Sequence, residues 1–504
     1  MPDQTTVPDQ TTVPDPSFTA GLDVLLIDGQ LVPAAGGATF TTSNPATEEV
    51  LGAAADGTAA EMDAAIGAAR AAFDQGAWAN DRAFRARCLR QLRDALVAHG
   101  DEMRALTTAE AGAPAFLTAG PQYDFPVEDL GYYADLAEGY EGWVQDLGER
   151  ETFGIVSSRS VHREPAGVVG AITPWNFPHQ IQIAKVGPAL AAGCTVVLKP
   201  APDTPWCASA LARIVATETD IPAGVFNVVT SSDHQVGAML SKDPRVDIVS
   251  FTGSTNTGRS VMRDASEHLT KVFLELGGKS AFVILDDADL SAAASLAAFS
   301  ACTHAGQGCA ITTRLLVPRH LHDDVVEIAV ATMGALAAGD PNDPGTICGP
   351  VISERQRDRI LGYLDLAVEE GGSFAVGGGR SERFDKGWFI DPTLIVGLDN
   401  TARVAREEIF GPVLTVIDYD GDDEAVAIAN DSPYGLSGAV CSGDEERAFA
   451  IAARIRTGTL GINGGIWYAA DVPFGGYKQS GIGREMGVAG FEEYLETKSI
   501  AVAR

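Results

Sequence analysis

Short apolar strands alternate with helices through the middle of the chain, and this alternation restricts the possible folds more than any other feature. The predicted strands are 167–172, 194–199, 225–230 and 247–251, and the predicted helices between them are 181–192 and 205–217. A second series of the same kind runs from Ala281 to about Ile417. Apolar strands separated by helices are typical of parallel sheets that are covered on both faces. The sequence therefore predicts an α/β fold.

The first residues have a different character from the rest of the chain. The hexapeptide Pro2–Val7 is repeated as Pro8–Val13. Because proline recurs in each repeat and large apolar side chains are few, we expect residues 1–18 to form a disordered tail. No basic region followed by an apolar run is present, so no secretory signal is predicted. The 504 residues are enough for about three domains or lobes.

The charge balance and the cysteines limit the classes of partner. The net charge is -32, from 36 basic and 68 acidic residues, which argues against nucleic acid or an anionic membrane as a partner. No run of about 18 apolar residues is present, so no membrane-spanning helix is expected. The 7 cysteines are scattered without metal-ligand spacing. We expect a reduced, cytoplasmic protein without a metal site.

Cys309 and Glu275 are the first candidates for chemistry. Cys309 lies in the segment GQGCA, whose small residues leave room for a substrate carbon to approach the sulfur. Glu275 lies in ELGGKS, where the glycines let a carboxylate hold a water molecule with little steric hindrance. Together they indicate covalent catalysis through a thioester, followed by base-assisted hydrolysis. Either motif alone is equally compatible with a buried structural cysteine or with a glutamate on a solvated turn.

Further motifs follow the predicted strands. FTGST, at 251–255, opens a helix and suits a pyrophosphate, although a plain strand-to-helix turn is the alternative. PWNFP holds the amide of Asn176 between two prolines, either as a donor to an oxyanion or as part of a packed turn. Lys199 ends another strand at the same edge of the sheet. In EEIFGP, Glu408 could contact a ribose and Phe410 a flat ring, or the segment could simply end a helix.

Taken together, these motifs resemble the aldehyde dehydrogenase superfamily. The matching segments occur in the family's order from about residue 22 to the C-terminus, and they are PWNFP, VVLKP, FTGST, ELGGKS, GQGCA, EEIFGPV and PFGGYKQSGIGRE. The resemblance implies NAD(P)-dependent, hydrolytic oxidation of an aldehyde to a carboxylic acid. It also implies a Rossmann-like cofactor domain, an α/β catalytic domain and a small β oligomerisation arm.

The resemblance also implies domain boundaries and an oligomer. The cofactor domain would comprise 19–146 and 165–274, the catalytic domain 275–480, and the arm 147–164 and 485–504. The edge strands of such an arm would be unpaired in a monomer. We therefore expect a homodimer or a homotetramer.

The resemblance assigns roles to individual residues. Cys309 would be the nucleophile, the side-chain amide of Asn176 and the backbone N–H of Cys309 would hold the oxyanion, and Glu275 would activate the hydrolytic water. Lys185 and Glu485 match family positions linked to proton relay. The expected cofactor is NAD, with NADP as the alternative. The expected cofactor-binding residues are Ile172, Thr173, Pro174, Trp175, Lys199, Pro202, Gly253, Ser254, Leu276, Glu408 and Phe410.

Several positions depart from the family pattern. Many NAD-using relatives have a glutamate three residues after the lysine, whereas this chain has Pro202 followed by Asp203, which leaves NADP use open. Relatives that oxidise short aliphatic aldehydes have aromatic side chains where this chain has Ala184 and Thr303. An asparagine common in relatives is replaced by His304, and the sequence does not predict the effect.

The small side chains of Ala184 and Thr303 predict a wide, largely apolar substrate tunnel. Phe177, Trp467 and Tyr468 are expected as further wall residues. A tunnel of this kind suits a bulky hydrophobic or aromatic aldehyde. The alternative is that other side chains fill the space.

Three other functions are weighed against aldehyde oxidation. A CoA-acylating semialdehyde dehydrogenase typically lacks the catalytic glutamate, and a non-catalytic binding protein of the same fold would be expected to have lost Cys309, Glu275 or Asn176. A cysteine hydrolase would need a histidine partner for Cys309. Because all three residues are present, the sequence favours the hydrolytic aldehyde dehydrogenase.

Overall fold

The computed structural model describes residues 14–504 and confirms the predicted α/β class. The strands are β1 Leu25–Ile27, β2 Gln30–Val32, β3 Thr39–Ser43, β4 Val50–Ala55, β5 Val144–Thr152, β6 Ile155–Pro165, β7 Val168–Ile172, β8 Thr195–Lys199, β9 Phe226–Val228, β10 Ile248–Thr252, β11 Lys271–Glu275, β12 Ser280–Ile284, β13 Thr312–Pro318, β14 Ser373–Val376, β15 Thr393–Val396, β16 Val413–Tyr419, β17 Gly438–Cys441, β18 Gly461–Ile462, β19 Gly481–Ile482 and β20 Leu495–Ala503. The helices are α1 Pro16–Thr19, α2 Ala59–Gln75, α3 Arg82–Ala98, α4 Gly100–Ala111, α5 Ala115–Thr118, α6 Asp124–Gly139, α7 Pro178–Ala192, α8 Pro205–Glu218, α9 His234–Ala238, α10 Thr255–Ala265, α11 Leu290–Cys302, α12 His322–Ala335, α13 Glu354–Glu369, α14 Arg403–Arg406, α15 Asp422–Asn430, α16 Glu445–Ala452 and α17 Gly487–Glu492. Across this range, none of the helices combines the length and the apolarity needed to cross a membrane.

The first large sheet is parallel at its centre. Its strand order is β19-β11-β10-β7-β8-β9-β1-β2, and the five strands from β11 to β9 run parallel. Strands β8 and β10 are buried along their whole length, which is consistent with their largely apolar sequences. The antiparallel strands β19, β1 and β2 form the edges.

The order of the strands creates a crevice in this sheet. From β7 the chain moves outward to β8 and β9, and it then returns to β10 on the opposite side of β7. At the carboxyl ends, Ile172 is paired with Lys199 on one side and Phe251 on the other, and Thr252 is paired with Glu275. Ligands of open α/β sheets bind at such a reversal of strand order. The loops after β7, β8, β10 and β11 therefore converge on one crevice.

The second large sheet carries the segment that contains Cys309. Its strand order is β14-β15-β16-β13-β12-β17-β18, with all neighbours parallel except β14 and β15. Helix α11 packs against this sheet and ends at Cys302, and a short 3-10 turn over 303–306 follows. Cys309 lies between that turn and β13, facing the crevice of the first sheet.

The predicted tail extends too far into the chain. Residues 1–13, with both hexapeptides, lie outside the described residues, but Pro16–Thr19 form a helix whose N-cap is Asp15. Phe18 is buried, its ring lies beneath the guanidinium of Arg213, and its carbonyl oxygen accepts a hydrogen bond from Arg213 at 2.7 Å. The prediction was wrong for residues 14–18 because a single large apolar side chain is enough to dock this segment.

The small third sheet differs from the predicted arm at its C-terminal boundary. It consists of β5, β6 and β20, paired antiparallel in the order β20-β6-β5. Helix α17 falls within the predicted 485–504 segment, but it packs into the hydrophobic core of the first sheet and its helices. Phe491 is fully buried there, at ring distances of 5.1 Å from Tyr140 and 5.7 Å from Trp143. The C-terminal part of this sheet therefore begins at Leu495, because residues 487–492 are tied to the core by aromatic packing.

Candidate active site

Cys309, Glu275 and Asn176 lie where two cavities meet. One cavity, of about 380 Å³, opens between α7, α11 and residues 464–468, and it is called the tunnel below. The other, of about 320 Å³, lies in the crevice of the first sheet and is called the inner crevice. All three side chains line both cavities. A group bound in either cavity can therefore reach Cys309.

The carboxyl group of Glu275 is placed to exchange protons with Cys309. Glu275 ends β11, is almost fully buried, and its carboxyl group lies close enough to the Cys309 thiol for each group to shift the pKa of the other. Burial, followed by the negative charge of Glu485, raises the pKa of Glu275 to about 8. Burial and then the charge of Glu275 raise the pKa of the Cys309 thiol well above its usual range. Since Oε1 of Glu275 has no hydrogen-bond partner among the described residues, this oxygen remains able to bind a water molecule.

The side-chain amide of Asn176 is oriented by its surroundings. Its Nδ2 donates to the backbone oxygen of Gln307 at 2.8 Å. Because that acceptor is a carbonyl, the nitrogen and oxygen of the amide are not interchangeable here. No second acceptor for this nitrogen is found among residues 14–504, and the Asn176 side chain also lines the tunnel. This geometry suits a donor to an oxyanion.

Lys185 and Glu485 form a buried ion pair behind the tunnel. The Lys185 Nζ lies 2.5 Å from Oε1 of Glu485 and also donates to the Ser250 hydroxyl at 3.2 Å. Lys185 is completely buried, and Glu485 lines the tunnel. Both charges act on the carboxyl group of Glu275. The charges of this pair therefore influence the pKa of Glu275, the residue beside Cys309.

A third cavity, of about 520 Å³, continues the inner crevice along the carboxyl edge of the first sheet and is called the outer crevice. The two crevice cavities share Pro174, Trp175, Gly253 and Ser254. The remaining predicted cofactor residues divide between them. Leu276, Glu408 and Phe410 line the inner crevice, and Ile172, Thr173, Lys199 and Pro202 line the outer one.

The chemistry of the outer crevice matches a polar, anionic ligand. The buried hydroxyls of Thr173 and Thr252 both lack a hydrogen-bond partner among residues 14–504, and both side chains line this cavity. Burial lowers the pKa of Lys199 to about 8, and bringing an anion close would favour its charged form. Ser254 caps α10, whose N-terminus opens at the same place. A dinucleotide is compatible with this set of groups.

The segment that carries Glu408 and Phe410 is held by α13. Gln356 Nε2 donates to the backbone oxygen of Phe410 at 2.8 Å, and Arg359 donates to that of Glu408 at 2.6 Å. The carboxylate of Glu408 in turn accepts from the backbone N–H of Gly278 at 2.9 Å. A Cβ at Gly277 would approach the Glu408 carboxylate to 2.5 Å, so any other residue at this position would displace that carboxylate.

The tunnel contains all five predicted wall residues. Ala184 and Thr303 contribute little volume, while Phe177, Trp467 and Tyr468 supply aromatic surface. Trp467 is stacked on Phe474 at a ring distance of 5.3 Å. Other side chains therefore do not close the space that the small residues leave, and a continuous cavity of about 380 Å³ remains.

The structure brings together every residue that the sequence suggested for the site, and it adds four that the sequence did not suggest. Gln122, Gln356 and Arg359 come from helices or turns far from the motifs in sequence, and no local pattern marks them. Gln307 lies inside GQGCA, so its position beside the predicted nucleophile was a usable signal.

Comparison with known proteins gives a consistent family. The model of the aldehyde dehydrogenase family matches residues 31–500. The chain is 43% identical over 460 residues to geranial dehydrogenase of Castellaniella defragrans, covering 91% of this chain and 94% of the relative. It is also 43% identical over 478 residues to 3-succinoylsemialdehyde-pyridine dehydrogenase of a Pseudomonas species, covering 94% and 97%.

Solved structures show the same fold. An aldehyde dehydrogenase of Mycobacterium tuberculosis, complexed with NAD+, superimposes with a TM-score of 0.90 at 42% identity, covering 95% of this chain and 97% of that one. Betaine aldehyde dehydrogenase of Staphylococcus aureus, in complex with NAD+, gives a TM-score of 0.91 at 35% identity, covering 96% and 97%. The arrangement of sheets and crevice is thus shared with these enzymes.

Proposed function

The chain belongs to the aldehyde dehydrogenase family, and we propose that it oxidises bulky, largely apolar aldehydes to carboxylic acids with NAD as the hydride acceptor. The observation that carries this proposal is the meeting of the tunnel and the inner crevice at Cys309 and Glu275. An aldehyde in one cavity and a cofactor in the other would face the same sulfur atom. Two relatives are named for geranial and for a pyridine semialdehyde, which supports a bulky substrate.

The residues of the chain provide the acid–base and nucleophilic steps. Glu275 accepts the Cys309 proton, and the sulfur attacks the aldehyde carbon. The Asn176 amide and the Cys309 backbone N–H stabilise the resulting oxyanion. NAD, when bound, supplies the hydride acceptor that allows a thioester to form on Cys309. The Lys185–Glu485 pair then relays the Cys309 proton away from Glu275, and the restored carboxylate removes a proton from the hydrolytic water.

The groups of the crevice favour NAD over NADP. Asp203 lines the outer crevice together with Lys199 and Pro202. Its carboxylate would repel an additional phosphate on the ribose, whereas Lys199 and the hydroxyls of Thr173 and Thr252 can bind uncharged ribose hydroxyls. The NAD+ complexes of two structural relatives support the same choice.

The residues around Cys309 do not favour a cysteine hydrolase or a CoA-acylating semialdehyde dehydrogenase. The titratable side chain with the largest influence on the pKa of the Cys309 thiol is Glu275, whose carboxyl group is suited to activating water. His304, the histidine nearest in sequence, instead contacts the backbone oxygen of Asn176. Hydrolysis of a thioester is therefore the better-supported outcome.

We also propose that the chain forms a dimer, or a tetramer built from dimers, through the β5-β6-β20 sheet. Every residue of β5 is exposed, and β20 is exposed except at Leu495. Val144, Leu147, Ile155, Ile500 and Val502 are among the exposed apolar side chains of this sheet. An exposed edge of this kind is commonly covered by another chain.

The proposed function is tested by following NADH and NADPH formation with a panel of aldehydes. The panel runs from acetaldehyde to benzaldehyde, decanal and citral. We expect NADH formation with the highest kcat/KM for the bulky members. Absence of nicotinamide reduction with every aldehyde by folded protein would reject the proposal.

Narrowing the tunnel should reverse the substrate preference. Ala184→Trp or Thr303→Phe is expected to lower kcat/KM for citral by on the order of 10- to 100-fold, because the added ring occupies space that the substrate needs. The value for acetaldehyde should change little. Thr303→Val is the matched control, since it keeps the volume and removes only the hydroxyl that donates to Phe299 at 2.8 Å. Equal losses for both aldehydes would show that the wall residues do not select by size.

The rate should rise with pH around the pKa of Glu275. Because that pKa is raised to about 8, the carboxylate that acts as base is the minor form at neutral pH and becomes the major form above this value. We expect kcat to increase through about pH 8 and then to level off. The buried imidazoles of His179 and His304 have lowered pKa values of about 3 and about 4, so they do not account for such a rise. A profile that is flat across this range would contradict the assignment of the base.

A further inference from the structure

The backbone oxygen of Asn176 accepts two hydrogen bonds from buried side chains. His304 Nε2 lies 2.8 Å from this oxygen, and Gln122 Nε2 donates to it at the same distance. The side chain of Asn176 is held separately by the backbone oxygen of Gln307. Both the peptide and the amide of this residue are thus fixed from outside its own loop.

The state of the His304 ring follows from its partner. Because a carbonyl oxygen can only accept, the proton must be on Nε2 of His304. Nδ1 has no hydrogen-bond partner among residues 14–504, and burial lowers the pKa of the ring to about 4. The ring is therefore neutral and remains a donor throughout the range in which Glu275 titrates.

His304 is itself held in place by the loop that leads to Cys309. Its backbone N–H donates to the backbone oxygen of Ile347 at 3.1 Å. Its backbone oxygen accepts from the backbone N–H of Gln307 at 3.1 Å and from Nε2 of the same residue at 3.2 Å. Its ring meets Phe177 edge-on at 5.3 Å. His304 has a φ of 51°, in the left-handed region that residues other than glycine rarely adopt. The loop thus keeps a strained residue whose ring reaches the oxyanion-binding segment.

We propose that His304 is a positioning residue that, together with Gln122, fixes the Asn176 peptide so that its amide faces the reacting carbonyl. This inference rests on the proposed function, because it gives Asn176 the role of oxyanion donor. His304 touches neither the aldehyde nor Cys309; it acts through Asn176. The ring also connects the segment that carries the Asn176 amide with the segment that carries Cys309. This contact holds the two segments in a fixed relative position.

The proposal is tested with His304→Leu, His304→Gln and Gln122→Leu. Losing a donor lets the peptide move, and a displacement of about 1 Å near the reacting atoms can cost about 100-fold in rate. We expect His304→Leu to lower kcat by about 10- to 100-fold with little change in KM. His304→Gln should recover most of kcat, because its amide nitrogen can replace Nε2 as the donor. Gln122→Leu should lower kcat in the same way, since it removes the other donor to the same oxygen.

His179→Leu is the matched control. His179 is equally buried and packs edge-on against Tyr123 at 5.2 Å, but its Nε2 has no partner among the described residues and donates nothing to Asn176. It should therefore lose packing without losing kcat. NADH binding, measured by fluorescence, should be unchanged in every variant and reports on an intact crevice.

The outcomes separate this inference from the function on which it rests. Wild-type protein that reduces no NAD with any aldehyde would remove the proposed function. Active wild-type protein together with full kcat in both His304→Leu and Gln122→Leu would overturn the positioning role alone. If His304→Leu does not fold, the kcat of Gln122→Leu and the recovery in His304→Gln decide the question. Low kcat in His304→Gln, despite normal NADH binding, would also contradict the proposal.

Discussion

Replacing Cys309 with alanine is expected to lower kcat for aldehyde oxidation by on the order of 10⁶-fold, the effect of removing a catalytic nucleophile. The reason is structural as well as chemical. Cys309 lies at the junction of the tunnel and the inner crevice, and Glu275 is the proton acceptor that we propose for it. Without the sulfur, the aldehyde has no covalent anchor from which a hydride can leave. The measurement is NADH formation with the best aldehyde of the panel.

Cys302→Ala is the matched control for that result. Cys302 is fully buried at the end of α11, and burial raises the pKa of its thiol to about 12. It lines neither the tunnel nor the crevice cavities among the described residues, so its removal should leave kcat unchanged. Substantial residual turnover in Cys309→Ala, or a large loss in Cys302→Ala, would place the nucleophile elsewhere.

Glu275→Gln is expected to complete a first turnover and then nearly stop. The glutamine keeps the size of the side chain but cannot remove a proton from water, so steady-state kcat should fall by about 10²- to 10⁴-fold. Rapid mixing should show a burst of NADH that approaches one molecule per active site. The burst should be slower than the first wild-type turnover, because Glu275 no longer takes the Cys309 proton, but it should still precede hydrolysis.

An added nucleophile distinguishes this defect from a general loss of activity. Hydroxylamine attacks a thioester without the help of a base, so it should restore turnover in Glu275→Gln but not in Cys309→Ala. A variant that shows neither a burst nor rescue would indicate that Glu275 acts before the thioester forms, chiefly on the Cys309 proton.

The sequence predicted the parallel strands and the convergence of their loops for a physical reason. Strands β7, β8 and β10 are largely apolar, and the carboxyl ends of parallel strands meet at one edge of a sheet. Once the motifs were placed after those strands, the proximity of Asn176 to the Gly253 turn followed from topology. The proximity of Glu275 to Cys309 came instead from the resemblance, since Glu275 ends a strand of the first sheet and Cys309 lies in the loop before a strand of the second.

The supporting contacts could not be predicted because they depend on packing between distant segments. Gln122 reaches the Asn176 carbonyl across 54 positions of sequence, and Gln356 reaches Phe410 across 54. Neither residue differs in type from many exposed glutamines. The role of His304 was equally hidden, because the orientation of its ring depends on a left-handed backbone conformation that no local pattern in this chain marks.

The boundary errors have a similar cause. The repetitive N-terminus suggested disorder up to residue 18. Residues 16–19 instead form a helix, because the side chain of Phe18 is buried against the rest of the protein. The C-terminal helix α17 was assigned to the arm because of its position in the chain. Because Phe491 packs against Tyr140 and Trp143, this helix belongs to the hydrophobic core of the first sheet and its helices.

The most direct test of covalent catalysis at Cys309 is the mass of the peptide that contains it. Glu275→Gln protein is mixed with a bulky aldehyde and NAD, then quenched, digested and analysed by mass spectrometry. If Cys309 is the nucleophile, we expect an acyl group on Cys309 that forms only when NAD is present and is removed by hydroxylamine. Production of NADH with Cys309 unmodified, or with the acyl group on another residue, would contradict it.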